Sequence, residues 1–165
     1  MEYRSLGNTG MRVSTVALGC WPIAGMTSPG ATEENSLATI GACFELGINH
    51  LDTAYMYGRD GESERLIARA LGSRRGAMVI ATKGGLHWDE EGRRVHDASP
   101  ATLRRQCEES LRRLNTDQVD LLYLHAPDPN VPVAESAGAL KRLMDEGKTR
   151  AVGASNLDVA ELESF

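Results

Sequence analysis

Short apolar runs alternate with longer segments of helical periodicity along most of this chain, and their order predicts a fold. The runs Thr15 to Leu18, Ile48 to Leu51, Met78 to Ala81, Val119 to Leu124 and Arg150 to Val152 read as strands. They are mostly apolar without strict alternation, which suits parallel strands covered on both faces rather than an antiparallel sheet with one wet side. Ahead of them lies a polar stretch whose segment Gly7 to Gly10 reads as a hairpin turn.

The segments between the runs carry helix signals. The first begins at Thr32, has Glu33 and Glu34 in its opening turn, sets Leu37, Ile40 and Phe44 on one face, and stops at Gly47. A second, shorter helix spans Glu62 to Leu71. The third has Ser99 as N-cap and Pro100 at its first position, then Leu103, Cys107, Leu111 and Leu114 at helical spacing. The fourth starts near Pro132, aligns Val133, Ala137, Leu140 and Met144, and ends at Gly147. A fifth opens at Asp158, with Glu161 completing a possible capping box. Strand-to-strand intervals of roughly 30 to 40 residues match successive right-handed βαβ crossovers. No Pro-rich or Ser-rich linker interrupts them, so residues 1–165 are expected to form one domain.

This is an α/β pattern with five βα units. A closed (β/α)8 barrel takes about 250 residues, so the chain supplies five of its eight units. Its first and fifth strands would be open edges, and self-association through them is expected unless something covers them.

Composition narrows the function classes. At 41% hydrophobic and 25% charged residues the chain is ordinary for a folded soluble domain. The amino terminus lacks the layout of a secretory signal, and no apolar run approaches the roughly 20 residues of a membrane-spanning helix, which points to a cytoplasmic protein. The net charge of −5, with arginines scattered along helices, argues against nucleic acid as a partner. Cys20, Cys43 and Cys107 lack disulfide or zinc-type spacing and read as packed or free thiols, so no metal is expected.

The candidate chemistry gathers where the strand-like runs end, because parallel barrel strands deliver their last residues to one rim. Asp52 closes the second run, followed by Tyr55 and Tyr57. Lys83 ends the third and needs an opposite charge nearby if it is partly buried, a role Asp52 can fill. A lysine beside a phenol stabilises the phenolate, as a tyrosine general acid requires. His125 ends the fourth run and could orient a carbonyl or join proton transfer. Ser155 and Asn156 end the fifth, offering the donor and acceptor that grip a carboxamide; Asn156 could equally cap the next helix. Trp21 and Trp88 could wall an apolar substrate pocket or be buried for packing alone. His50, His87 and His96 are weaker candidates. No glycine tract matches GxGxxG or a P-loop, so a Rossmann cofactor site is not indicated.

The stretches SLGNTGMRVSTVALGCW, GINHLDTAYMYG, ATKGG, VDLLYLH and LKRLMDEGKTRAVGASN resemble the aldo-keto reductase family in order and spacing, from about Tyr3 to Asn156. The resemblance implies a (β/α)8 TIM-barrel type with an amino-terminal hairpin closing its bottom. It implies NADP(H)-dependent interconversion of aldehydes or ketones with alcohols, a small-molecule carbonyl being the substrate. Tyr57 would be the general acid, supported by Lys83 and Asp52, with His125 positioning the carbonyl. Ser155 and Asn156 would hold the nicotinamide carboxamide, with Asp52 beside them at the cofactor site. The family's later units, which bind most of the adenosine and the 2′-phosphate, have no counterpart in this sequence. A noncatalytic fragment or binding subunit with a partial barrel is the alternative.

Overall fold

A five-stranded parallel sheet frames the molecule in the computed structural model, which describes residues 1–28 and 30–165. Its strands are β3 (Leu18–Gly19), β4 (His50–Asp52), β5 (Val79–Gly84), β8 (Val119–Leu124) and β9 (Thr149–Ala154), and they lie side by side in that order. Each neighbouring pair is parallel. Ahead of the sheet, β1 (Tyr3–Ser5) and β2 (Arg12–Ser14) form the expected antiparallel hairpin. A second hairpin, β6 (Leu86–Trp88) with β7 (Arg94–His96), rises from the end of β5.

The connecting helices are α1 (Glu33–Leu46), α2 (Glu62–Leu71), α3 (Pro100–Leu114), α4 (Val133–Asp145) and α5 (Val159–Ser164). Their ends follow local chemistry. The hydroxyls of Thr32 and Ser99 accept from the third residue of their helices, which satisfies an otherwise orphaned N–H. Asp158 and Glu161 form a reciprocal capping box. Gly47 stops α1 with φ 73°, a left-handed conformation that favours glycine.

Alternation along the strands divides the core in two. Leu51, Ile80, Leu122 and Leu124 face the helices, joining Ile40, Ile67, Leu103, Leu111, Leu140 and Leu143 in the main cluster. Val79, Ala81, Leu121 and Ala151 face the opposite way, toward Met11 and Val13 of the first hairpin. That hairpin therefore covers the amino-terminal ends of the inward-facing rows, leaving the carboxyl ends for chemistry. Gly153 continues the inner row beside Tyr123. A Cβ there would come within 2.6 Å of the Tyr123 ring, so the missing side chain is what admits the aromatic.

Several expectations shift. Thr15 to Ala17 lie outside any strand, because the first parallel strand is only Leu18–Gly19; the second is displaced toward Asp52, and the third and fifth run further than their apolar cores suggest. Helix α4 buries Ser136, Ala139, Leu140 and Leu143 rather than the row through Val133, Ala137 and Met144. Ser136 is admitted because its hydroxyl donates to the Ala98 carbonyl at 2.8 Å. Two 3-10 turns, Pro22–Ala24 and Gly72–Ala77, lie where no regular element is expected. The three cysteines are buried free thiols. No described helix is long and apolar enough to cross a membrane.

One buried ion pair ties the sheet's outer face to the helices. Glu64 on α2 is fully enclosed, accepts from Thr82 Oγ1 at 2.7 Å, and meets Arg113 Nη1 of α3 at 3.3 Å. Burial pushes the Glu64 carboxyl up, while its hydrogen bonds and the Arg113 charge oppose that rise. Removing one partner of such a pair leaves an uncompensated buried charge, at a cost of roughly 3–5 kcal/mol, whereas replacing both by apolar groups can be near neutral. Arg113→Met is therefore expected to lower stability by about 3 kcal/mol in urea unfolding, with Glu64→Leu on top of it recovering much of the loss. Equal stability of Arg113→Met and the wild type would show that the pair holds nothing together.

Candidate active site

The inward-facing rows of the sheet end in polar side chains. Along β5, Val79 and Ala81 are followed on the same face by Lys83; beyond Leu121 and Tyr123 comes His125; beyond Ala151 and Gly153 comes Ser155. Asp52 ends the inward row of β4. The ladder continues into the site and fixes these backbones: Cys20 N–H donates to Asp52 O at 2.9 Å, His125 N–H to Gly84 O at 2.8 Å and Ser155 N–H to Leu124 O at 2.9 Å.

Lys83 is the centre of the arrangement. Its Nζ donates to Asp52 Oδ1 at 2.6 Å, to the Thr53 carbonyl at 2.8 Å and to the Tyr57 hydroxyl at 3.1 Å. An ammonium has three protons, and all three are used. The side chain is 8% exposed, so its charge depends on Asp52, whose carboxylate is 40% exposed and keeps some water. Because Tyr57 accepts from Lys83, its own O–H proton is free to point elsewhere.

Tyr57 reaches this position through a short, heavily bonded loop. Thr53 N–H donates to Ala81 O at 2.9 Å, Tyr55 N–H to Lys83 O at 3.0 Å, and Tyr57 N–H to Ala54 O at 3.0 Å. Gly58 turns the chain at φ 92°, where a Cβ would collide with Glu62, so only glycine fits. Tyr55 faces away from Tyr57. Its hydroxyl donates to Glu109 Oε2 at 2.5 Å, the Arg113 guanidinium lies 4.3 Å from its ring centroid, and Arg113 Nη1 donates to its carbonyl at 3.0 Å. The buried pair behind the sheet thus also braces the tyrosine loop.

Tyr57 opens onto a cleft of about 480 Å³ lined by Trp21, Trp88, Arg94, His96 and His125 among others. The Trp21 ring meets Tyr57 edge-on at 5.1 Å and Trp88 at 6.5 Å, and Trp88 Nε1 donates to Met56 O at 2.9 Å. The two tryptophans therefore lie in one wall of the cleft. The His125 ring meets Tyr57 edge-on at 5.8 Å. Burial, then the positive charge of Lys83 and the neighbours Arg94 and His96, lowers the His125 pKa to about 4, so the ring is neutral at pH 7. Its Nδ1 is buried without a hydrogen-bond partner among the described residues.

Asn156 has left-handed backbone, φ 59°, and does not cap α5, a place taken by Asp158. Its Nδ2 donates to His125 O at 2.8 Å and to Ser155 Oγ at 3.1 Å. The carbonyl requires a donor, which fixes the amide orientation and directs Oδ1 outward as an acceptor. Beside it, the Ser155 hydroxyl accepts from Asn156 and keeps its own proton to donate. An outward acceptor next to a donor is the complement of a primary carboxamide.

These contacts bring Asp52, Tyr57, Lys83 and His125 together, with Ser155 and Asn156 at the neighbouring strand end. His50 sits in β4 below Asp52, its pKa lowered chiefly by burial and its Nε2 without a partner among the described residues. His87 lies on the opposite face of the β6–β7 hairpin from Trp88 and His96. That hairpin, with Arg94, has no forerunner in the strand pattern, although Asp89 to Gly92 between β-prone residues carries its turn signal. Glu64 and Arg113 gave no sequence signal as a pair, being charges on segments whose apolar residues alone indicate burial. Cys20, next to Asp52, has its thiol pushed up to about 12, chiefly by burial, and is inert as a nucleophile.

The sequence profile of the Aldo/keto reductase family matches residues 15–165. The chain belongs to this family. It is 39% identical over 167 residues to "Aldo-keto reductase YhdN" of Bacillus subtilis, spanning 100% of this chain and 50% of that protein. It is 38% identical to L-galactose dehydrogenase of Arabidopsis thaliana, over 95% of this chain and 49% of the relative. The chain thus spans about half the length of the curated relatives it matches. Among solved structures, glycerol dehydrogenase AKR11B4 from Gluconobacter oxydans superposes with a TM-score of 0.88 at 38% identity, covering 99% of this chain and 51% of that one. The holo form of aldo-keto reductase AKR11C1 from Bacillus halodurans superposes at 0.83 and 35% identity, over 95% and 51%. The five-stranded α/β sheet of this family member is therefore a partial TIM-type barrel.

The protonation state of His125 can be measured on this chain directly. Its ring resonances should titrate with a midpoint of about 4 by NMR. A folded pKa below the free value of 6.5 means that the unfolded state binds the proton first. His125 should then take stability away as pH falls from 6.5 toward 4, and contribute no such loss above 6.5. A midpoint at or above 6.5 would contradict a buried neutral ring.

Proposed function

We propose that this chain carries the proton-transfer half of an NADP(H)-dependent carbonyl reductase, interconverting aldehydes or ketones with alcohols. The observation that carries the reading is the Lys83 ammonium bound at once to Asp52 and to the Tyr57 hydroxyl, beside a cleft walled by tryptophan. The outward pairing of Asn156 Oδ1 with the Ser155 hydroxyl suits a nicotinamide carboxamide, which supports a nicotinamide cofactor at this rim. When bound, such a cofactor supplies the hydride.

The chain's own residues account for the proton. Tyr57 gives its O–H proton to the carbonyl oxygen as negative charge develops there, and the phenolate that remains is held by Lys83. Asp52 pairs with the ammonium and holds the buried lysine in place. His125, neutral and edge-on to Tyr57, orients the carbonyl oxygen. Trp21 and Trp88 exclude water from that oxygen. In the oxidative direction the phenolate takes back the proton of the alcohol.

The test is Tyr57→Phe in the full-length polypeptide, with NADPH and a reactive aldehyde. Turnover should fall on the order of 10²- to 10⁴-fold, with the fold unchanged by circular dichroism. Near-full activity in the folded variant would remove Tyr57 as the acid, and no hydride transfer by the wild type would remove the reading altogether.

The open edges of the sheet support a proposal about the 165-residue chain by itself. Among the described residues strand β9 pairs on one side only, with β8, and its other edge offers unpaired backbone donors and acceptors. A second copy of the chain is the occupant we assign to that edge. Size-exclusion with light scattering should give dimers or larger species, and NADPH should bind weakly. A monodisperse monomer of 17.9 kDa that binds NADPH tightly would contradict both expectations.

A further inference from the structure

The β6–β7 hairpin gives the cleft a wall with a chemical preference. In its antiparallel register Trp88 stands opposite Arg94, and Leu86 opposite His96. Side chains alternate along a strand, so these four share one face, and all four line the cleft that holds Tyr57 and His125. The wall is anchored on both sides. Trp88 Nε1 donates to Met56 O at 2.9 Å, and the His96 Nδ1–H donates to Pro127 O at 3.0 Å.

Charge is sorted across the hairpin. Its turn carries three carboxylates, of which Asp89 and Glu91 are taken by Arg93, at 2.7 Å and 2.9 Å. Arg94, pointing to the other side, takes part in no ion pair among the described residues. Among the described residues no aspartate or glutamate lines the cleft. The carboxylate of Asp52 is engaged by Lys83. A chain whose net charge is −5 therefore presents a locally positive cleft: an unpaired guanidinium at its mouth, a tyrosine hydroxyl backed by an ammonium at its depth, and aromatic surface between.

We infer that Arg94 selects carbonyl substrates bearing a carboxylate on an aromatic or apolar body, with the carbonyl directed at Tyr57 and the carboxylate at the hairpin. This rests on the reductase reading for turnover, but not for binding. A guanidinium meets a carboxylate with two parallel hydrogen bonds, and the tryptophans take the flat body between the two polar ends.

Two measurements separate the claims. In the first, the intrinsic fluorescence of the full-length polypeptide is titrated with 4-(hydroxymethyl)benzoate and with its neutral methyl ester, since Trp21 and Trp88 line the cleft. The carboxylate should bind on the order of tenfold more tightly than the ester; Arg94→Gln should abolish that preference and Arg94→Glu should reverse it. In the second, kcat/KM with NADPH is compared for 4-carboxybenzaldehyde and its methyl ester. The ratio should favour the carboxylate by about tenfold and collapse in Arg94→Gln, through KM more than kcat. Equal binding of acid and ester, or a preference unchanged in both Arg94 variants, overturns the inference. Selective binding without turnover of either aldehyde would support it and overturn the reductase reading instead.

Discussion

The Lys83 ammonium imposes the constraint on which the site depends. A buried cation with three protons must find three acceptors, and here they come from the end of β4, from the backbone just after it, and from Tyr57. Satisfying the lysine therefore fixes the tyrosine. The same bonds decide which way the phenol can work, because an oxygen that accepts from Lys83 keeps its own proton for the cleft. The loop between Asp52 and Gly58 is held from the other side by Arg113, itself tied to the buried Glu64. A charge pair under the helices and a charge pair at the rim thus meet in one short segment.

The parity of the strands does the rest. Val79, Ala81 and Lys83, or Leu121, Tyr123 and His125, are single rows on one face, apolar where the first hairpin covers them and polar beyond it. A shift of register by one residue would send Lys83 and His125 under the helices and bring Thr82 and Leu124 to the rim. The small inner residues Ala81, Ala151 and Gly153 matter for this reason, since Gly153 makes room for Tyr123 and keeps the inner face of β8 and β9 in place.

Much of this was legible in the sequence because strand ends in a parallel sheet share a rim, and the residues there were Asp52, Lys83, His125 and Ser155. The βα order, the caps at Thr32 and Ser99 and the box at Asp158 were legible because each is a local signal. The first parallel strand is shorter than its apolar run suggests because Val16 and Ala17 are apolar yet exposed, so composition points to pairing that the chain does not make. The buried face of α4 lies one row away from its apolar periodicity, since Ser136 is buried through a hydrogen bond that no hydrophobic count detects. The β6–β7 hairpin escaped for a different reason: its strands are three residues each and rich in Trp, Arg and His, so they resemble a loop until pairing is known. Asn156 fitted a cap by type, but its left-handed backbone and its bond to His125 O turn it toward the site instead.

On the proposed reading Lys83 acts on the proton carried by Tyr57 rather than on substrate affinity. The most direct measurement is the Lys83→Met variant of the full-length polypeptide, with kcat and the KM for aldehyde and NADPH determined across pH. A fall in kcat on the order of 10²-fold is expected with KM changed only slightly, because the interaction that is lost matters most as the proton moves. An unchanged kcat, or a loss confined to KM, would contradict it.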